Sequence, residues 1–213
     1  MSVALIAGAS GLVGGKLLKL LLAEEKYSKV ISIGRRKLEM VNPKLDQRII
    51  DFSTLDLLEV KADIIFCCLG TTIKKAGSKE AFKKVDLEYP QLLAKYGLQI
   101  GAKSFHIITA MGANANANIF YNKVKGQVED KLKAMPFDEL HIYRPSLLLG
   151  NRKENRAAEK MSQALMKFTG FLFIGLLKNY KAISGDDVAR FMIAKSLLKM
   201  KGTNIYLSGE MQN

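Results

Sequence analysis

The sequence predicts a doubly wound α/β fold, in which a parallel sheet carries helices on both faces. Short segments rich in apolar and β-branched residues alternate with longer segments whose apolar residues follow a helical period. Two of the short segments, ALIAG and ADIIFCCLG, are apolar throughout, as strands buried on both faces should be. This alternation is typical of right-handed strand–helix–strand crossovers, which build a parallel sheet.

The individual elements follow from the same patterns. Apolar and β-branched runs predict strands at 3–7, 30–33, 48–52, 63–69, 104–109 and 140–143. Amphipathic runs predict helices at 12–22, 78–101 and 121–135, and a last helix from Asp186 is followed by a strand at 204–207. The alternating Ala and Asn residues at 113–118 suit a flexible loop.

Bulk properties indicate an ordinary globular protein. A chain of 213 residues suits one domain over 1–213, with 151–185 as a cap segment on the substrate side. The first residues resemble neither a secretory signal nor a membrane span, so we expect a cytoplasmic protein. We also expect Cys67 and Cys68 to be reduced, and the protein to be either a monomer or a homodimer. The net charge of +13 comes from dispersed lysines, which favours a solvated basic surface over nucleic-acid binding.

The first motif with chemical content lies between the first strand and the first helix. It contains Gly8, Ser10, Gly11, Leu12 and Gly14. Glycines in this position allow a tight turn and a close approach of the backbone to a pyrophosphate, and the start of the helix attracts negative charge. The motif therefore predicts dinucleotide binding by a Rossmann-like fold.

The end of the second strand indicates which dinucleotide binds. An acidic residue at this place contacts the ribose 2′-hydroxyl of NAD, whereas arginine accepts the 2′-phosphate of NADP. Here Arg35 and Arg36 follow the strand, which favours NADP, although a solvated basic turn is the alternative.

Two further strand ends supply candidate cofactor contacts. Asp51 and Phe52 could lie near the adenine, although Asp51 could equally cap the following helix. Leu69, Gly70 and Thr71 follow the fourth strand, at the edge where open α/β sheets bind ligands.

The helix after the fifth strand carries a candidate proton donor. Tyr121 and Lys125 are four residues apart, so both lie on one helical face. A lysine ammonium close to a phenol stabilises the phenolate, which allows tyrosine to exchange a proton with a substrate oxygen. Thr109 at the end of the fifth strand could hold the substrate carbonyl oxygen, or it could simply be a β-branched strand residue.

At these residues the chain resembles the short-chain dehydrogenase/reductase superfamily, and within it the atypical members similar to the Tat-interacting protein family of NADP-binding oxidoreductases. The resemblance covers nearly the whole chain, in the stretches GASGLVG, IGRRKL, VDFSTLD, FCCLGTT, FYNKVKGQVE and YRPSLLLGNRKENR. It implies that NADP is held by Ser10, Gly11, Arg35, Arg36, Leu69 and Gly70, with Tyr121 and Lys125 at the nicotinamide. It also implies contacts from the backbone of Leu148 and from the charge of Arg156.

The chain departs from the pattern at two places. Thr109-Ala110 stands where the family tends to have a serine pair, and Asp86 stands where the superfamily has asparagine. The motifs and the resemblance together predict an NADP-dependent oxidoreductase that acts on a small carbonyl or alcohol, and no spacing of His, Cys and Asp residues suggests a metal ion. The alternative is a regulatory protein that senses NADPH and binds a protein partner without chemistry.

Overall fold

The computed structural model describes residues 1–149 and 180–212. Within them, one sheet contains β1 (Ser2–Ala7), β2 (Tyr27–Gly34), β3 (Leu45–Ile49), β4 (Ile64–Cys67), β5 (Ser104–Ile108), β6 (Glu139–Arg144) and β9 (Gly202–Leu207). A separate short pair is formed by β7 (Leu148–Leu149) and β8 (Ile183–Ser184).

The helices are α1 (Leu12–Ala23), α2 (Ile73–Ala76), α3 (Lys79–Lys83), α4 (Tyr89–Gln99), α5 (Phe120–Lys133) and α6 (Gly185–Ser196). A π-helical turn, Lys84–Glu88, connects α3 to α4, and short 3-10 helices cover Phe52–Leu57 and Ser208–Met211. No helix in the described ranges is long and apolar enough to cross a membrane.

The strand order confirms the predicted parallel fold. All pairs in the sheet are parallel, in the order β3-β2-β1-β4-β5-β6-β9. The chain builds outward from β1 to β3 on one side, then returns and builds from β4 to β9 on the other. The reversal leaves a crevice at the carboxyl ends of β1 and β4, where doubly wound folds bind their ligands.

Strand β1 shows how the sheet separates two apolar layers. Ala4 and Ile6 face the core shared with α1 and α6, while Leu5 and Ala7 face the core shared with α4 and α5. Successive strand side chains point to opposite faces, so a strand buried on both sides must be apolar at every position.

Two predicted elements differ most from the observed ones. The third strand is Leu45–Ile49 rather than 48–52, because Leu45 pairs with Val30 and Ile49 with Gly34 before the chain turns into the 3-10 helix. This edge strand is only partly buried, so its apolar pattern is a weak guide to its register. The predicted helix at 78–101 is interrupted by the π turn.

The Ala–Asn segment packs against α5. The amide of Asn114 donates to the carbonyl of Asn122, and a Cβ at Gly126 would lie 2.1 Å from the backbone nitrogen of Ala115. Glycine at this point allows the loop to lie directly on the helix. These contacts, which the loop-like composition did not predict, hold the segment against α5.

Two histidines stack inside the sheet. His106 and His141 are fully buried on neighbouring strands, with ring centroids 4.2 Å apart. His106 bonds Ser104 through Nε2 at 3.0 Å and the Tyr143 hydroxyl through Nδ1 at 2.9 Å. Burial, together with the charge of His141, holds the pKa of His106 well below the ordinary value of 6.5.

We expect this burial to make the protein less stable in mild acid. The unfolded chain protonates His106 near its ordinary pKa and the folded chain does not, so stability is lost as the pH falls below 6.5. Between about pH 7 and about pH 5, His106 alone is expected to remove about 2 kcal/mol from the free energy of unfolding. Urea unfolding of the wild type and of His106→Gln at both pH values measures this difference. An equal pH dependence in the two proteins would contradict it.

Candidate functional site

A cleft of about 420 Å³ opens at the carboxyl ends of β1, β2 and β4. Its lining includes most of the predicted cofactor residues: Gly8, Ser10, Gly11, Arg35, Arg36, Phe52, Leu69, Gly70 and Thr71. Four segments that are distant in sequence therefore meet at one place, as the strand ends predicted.

The turn between β1 and α1 can be formed only by small residues. Gly8 has a φ of 87°, and a Cβ there would lie 2.4 Å from the carbonyl oxygen of Cys68. A Cβ at Gly14 would lie 2.2 Å from the carbonyl oxygen of Gly8. The cap residue of α1 is Gly11, so no side chain of its own covers the first amides of the helix. These amides can bind an anion from the cleft.

Leu12 and Gly14 lie beside the cleft rather than on its surface. Leu12 is the first residue of α1, and Gly14 lies beneath the turn, where its lack of a side chain allows α1 to approach Gly8.

Arg35 and Arg36 lie on the cleft wall directly after β2. Both are exposed, and no carboxylate in residues 1–149 and 180–212 pairs with either of them. By contrast, Arg48 is held by Asp46 at 2.8 Å, and that guanidinium lowers the pKa of Asp46. The cleft thus presents two guanidinium groups without a counter-charge from the described residues.

An aromatic pair lines the outer part of the cleft. Phe52 and Tyr89 stack with ring centroids 4.9 Å apart, and the ammonium of Lys84 lies 5.8 Å from the Tyr89 ring. Asp51, which was predicted to lie with Phe52 near the adenine, is exposed and does not line the cleft. Its backbone carbonyl accepts a hydrogen bond from the amide of Thr54, at the start of the 3-10 helix. Tyr89 was missed by the sequence analysis because its side chain meets Phe52 only through tertiary packing.

Beyond Gly70 lie the groups predicted to move a proton. The Nζ atom of Lys125 is 6.0 Å from the centroid of the Tyr121 ring and 2.7 Å from Oδ1 of Asp86. A Cβ at Gly70 would be 3.9 Å from that Nζ atom, so Lys125 reaches the inner end of the cleft. Among the described residues the Tyr121 hydroxyl has no hydrogen-bond partner.

Lys125 remains positively charged despite its burial. Burial by itself lowers the pKa of a lysine, but the adjacent carboxylate of Asp86 and the phenol of Tyr121 outweigh this effect and raise the pKa of Lys125 above 10.5. The ammonium is therefore fully protonated at neutral pH.

Thr109 is connected to a different group. Its hydroxyl donates to Oε1 of Glu129 at 2.7 Å and is buried. Glu129 is itself buried and pairs with Arg144 through a 3.0 Å bond from Nε. Because its only hydroxyl proton is used in this contact, Thr109 does not present a donor to a substrate oxygen in this arrangement. The predicted substrate contact is replaced by a link from β5 to α5.

Other predicted residues lie away from the cleft or outside the described ranges. Leu148 is in the β7–β8 pair and packs against the core. Arg156 and nearly all of the cap segment at 151–185 lie outside the described residues, as does the apolar stretch 165–177.

Of the two free cysteines, Cys68 lines the cleft, and burial raises the pKa of the Cys67 thiol to about 12. Within the described ranges, no group of three His, Cys, Asp or Glu side chains could hold a metal ion.

Comparison with known proteins places the chain among several relatives. It is 39% identical over 173 residues to the protein HTATIP2 of Rattus norvegicus, a match that covers 78% of this chain and 70% of the relative. It is 32% identical over 197 residues to the protein FMP52, mitochondrial, of Candida albicans, covering 88% of this chain and 85% of the relative. No family model matches the chain.

Solved structures agree on the fold. The enzyme WbmH of Bordetella bronchiseptica, in a structure described as a complex with NAD⁺, superposes with a TM-score of 0.72 at 16% identity and covers 98% of this chain and 76% of its own. At this identity the likeness concerns the fold alone.

The relatives also correct one expectation and establish the family. A cytoplasmic location was expected from the first residues, but several fungal relatives are named as mitochondrial proteins, so that expectation is wrong. A short apolar opening is a weak guide to targeting because it belongs to β1.

By the identity and coverage of its relatives, the chain belongs to the atypical short-chain dehydrogenases/reductases of the Tat-interacting protein family, together with HTATIP2 and FMP52.

Proposed function

We propose that the protein is an NADP-dependent oxidoreductase that transfers hydride between nicotinamide and a small carbonyl or alcohol. The observation that carries the proposal is that one cleft contains both the glycine turn at the start of α1 and Arg35 and Arg36, with which no carboxylate of the described residues pairs. The N-terminus of a helix suits a pyrophosphate, and two adjacent guanidinium groups suit a 2′-phosphate.

Different residues of the cleft would bind different parts of the cofactor. The amides at Ser10 and Gly11 would hold the pyrophosphate, and Arg35 and Arg36 would hold the 2′-phosphate. The stacked Phe52 and Tyr89 would provide an apolar wall for the adenine. The cleft is about 420 Å³, within the usual range for small-molecule sites.

Tyr121 would exchange the proton that accompanies hydride transfer. Bound NADPH supplies the hydride, and the chain supplies the proton and the binding contacts. The Tyr121 hydroxyl would donate to the developing alkoxide of a carbonyl substrate. Lys125, held charged beside Gly70, would stabilise the resulting phenolate and contact the ribose.

Removing either arginine is expected to weaken NADPH binding selectively. A charge-assisted contact to phosphate contributes about 1.5–3 kcal/mol, so Arg35→Ala and Arg36→Ala should each raise the dissociation constant for NADPH by about 10- to 100-fold. The constant for NADH, which lacks the phosphate, should change little. Binding can be followed by the change in the fluorescence of NADPH or NADH.

The matched control is Arg190→Ala. Arg190 lies on α6, pairs with Asp187 and does not line the cleft, so its removal changes the net charge equally without touching the site. An equal loss of NADPH and NADH binding in the Arg35 and Arg36 variants, or a loss in the control, would refute the assigned 2′-phosphate site. A wild-type protein that binds neither dinucleotide would refute the proposed function.

A further inference from the structure

Asp86 is buried at an unusual point of the helix between β4 and β5. It lies in the π turn Lys84–Glu88, between exposed lysines and the start of α4, yet it is only 2% exposed. A π turn contains an extra residue and shifts the helical phase, and such turns occur frequently at functional sites. Phe82 and Pro90, four residues to either side, are also buried, so Asp86 is a carboxylate on the inward face of this helical segment.

The two oxygens of this carboxylate contact two different elements. Oδ2 accepts a 2.9 Å hydrogen bond from the amide of Thr71, in the cleft-lining turn after β4. Oδ1 lies 2.7 Å from Nζ of Lys125 on α5. A Cβ at Gly70 would be 3.5 Å from the same Oδ1 atom, so this bridge lies directly beneath the inner end of the cleft.

We propose that Asp86 is a positioning residue, which fixes the Lys125 ammonium beneath Gly70 and keeps it charged there. The inference rests on the proposed function for its catalytic meaning, but the contact can be tested without a cofactor. A buried ion pair requires both partners, because the removal of one leaves an uncompensated charge in a medium of low dielectric constant. The side chains of Lys125 and Asp86 are 6% and 0% exposed, so water cannot replace the carboxylate.

A purely structural role would predict a different behaviour. If Asp86 only joined the three elements, its replacement would lower stability and activity equally at every pH. If it keeps Lys125 charged, its replacement lowers the pH at which Lys125 loses its proton, since burial then acts without an opposing carboxylate. The titration of Lys125 therefore separates the two roles.

The test uses Asp86→Asn, which keeps the size of the side chain and an oxygen for the Thr71 amide. The ε-carbon resonance of Lys125, in protein with isotope-labelled lysine, reports its protonation and is assigned by its absence in Lys125→Met. In the cofactor-free wild type, Lys125 is expected to stay protonated above pH 10.5, and in Asp86→Asn to titrate at a clearly lower pH. An unchanged titration in the variant would overturn the proposal.

Glu129→Gln is the matched control. It also removes a buried carboxylate from α5, one that contacts Thr109 after β5 and Arg144 on β6, but it leaves the Asp86–Lys125 pair intact. The titration of Lys125 should be unchanged in this variant. A shift as large as that in Asp86→Asn would indicate a general effect of disturbed packing and would overturn the specific role.

The wild type keeps the proposal testable if Asp86→Asn does not fold. A Lys125 resonance that titrates below pH 10.5 in the wild type would by itself overturn it. Where turnover is measurable, kcat of Asp86→Asn should fall as the pH rises and recover towards the wild-type value in mild acid, with the KM for NADPH changed less than kcat. A protein without turnover whose Lys125 titrates as expected would refute the proposed reaction and leave the role of Asp86 supported.

Discussion

Tyr121→Phe is expected to reduce kcat for NADPH-dependent reduction of small aldehydes and ketones by about 10²- to 10⁴-fold, the usual contribution of a positioned acid or base. The variant loses only the phenolic oxygen, because the ring keeps its packing against Phe82, 5.6 Å away between centroids. NADPH binding should therefore be unchanged. Turnover is followed by the loss of NADPH absorbance over a panel of small carbonyl compounds, and binding by NADPH fluorescence.

Tyr96→Phe provides the control for this result. The Tyr96 hydroxyl donates to the carbonyl of Leu58, and Tyr96 does not line the cleft, so the loss of this hydroxyl should leave kcat unchanged. Wild-type turnover in Tyr121→Phe would show that another group supplies the proton. Loss of NADPH binding in the same variant would assign Tyr121 to the cofactor site alone.

Gly14→Ala is expected to lower the free energy of unfolding by about 3 kcal/mol or more, because the new methyl group overlaps main-chain atoms. A Cβ at this position would lie 2.2 Å from the carbonyl oxygen of Gly8 and 2.8 Å from its carbonyl carbon. Neither atom is at the end of a flexible side chain, so α1 must move away from β1. The same movement displaces the first amides of α1, and we expect NADPH affinity to fall about tenfold or more.

The neighbouring Gly15→Ala isolates the steric effect from helix propensity. A Cβ at Gly15 would be 3.2 Å from the carbonyl oxygen of Ala9, which requires only a small adjustment. Alanine also favours the helix by up to about 1 kcal/mol, so the net change should stay within about 1 kcal/mol. Urea unfolding and NADPH titration of both variants measure the two effects. Equal stability and affinity in Gly14→Ala and the wild type would contradict close packing of α1 on this turn.

Local patterns predicted the parts of the molecule that depend on neighbouring residues in the chain. The continuous apolar run of β1 and the glycines that follow it gave the first strand, the turn and the start of α1 in nearly their observed positions. The four-residue spacing of Tyr121 and Lys125 likewise placed both on α5. Such features are readable because backbone preference and side-chain period act within a few residues.

The sequence by itself thus determined a parallel α/β fold, a glycine turn suited to a dinucleotide phosphate, two arginines after β2, and a tyrosine and lysine on one helix. Only the tertiary structure decided the partners of the charged and polar groups. It paired Lys125 with Asp86, turned Thr109 towards Glu129, and stacked His106 on His141 across neighbouring strands. Buried polar groups must find partners within hydrogen-bonding distance, and which groups come within that distance depends on strand order, register and helix phase across the whole sheet.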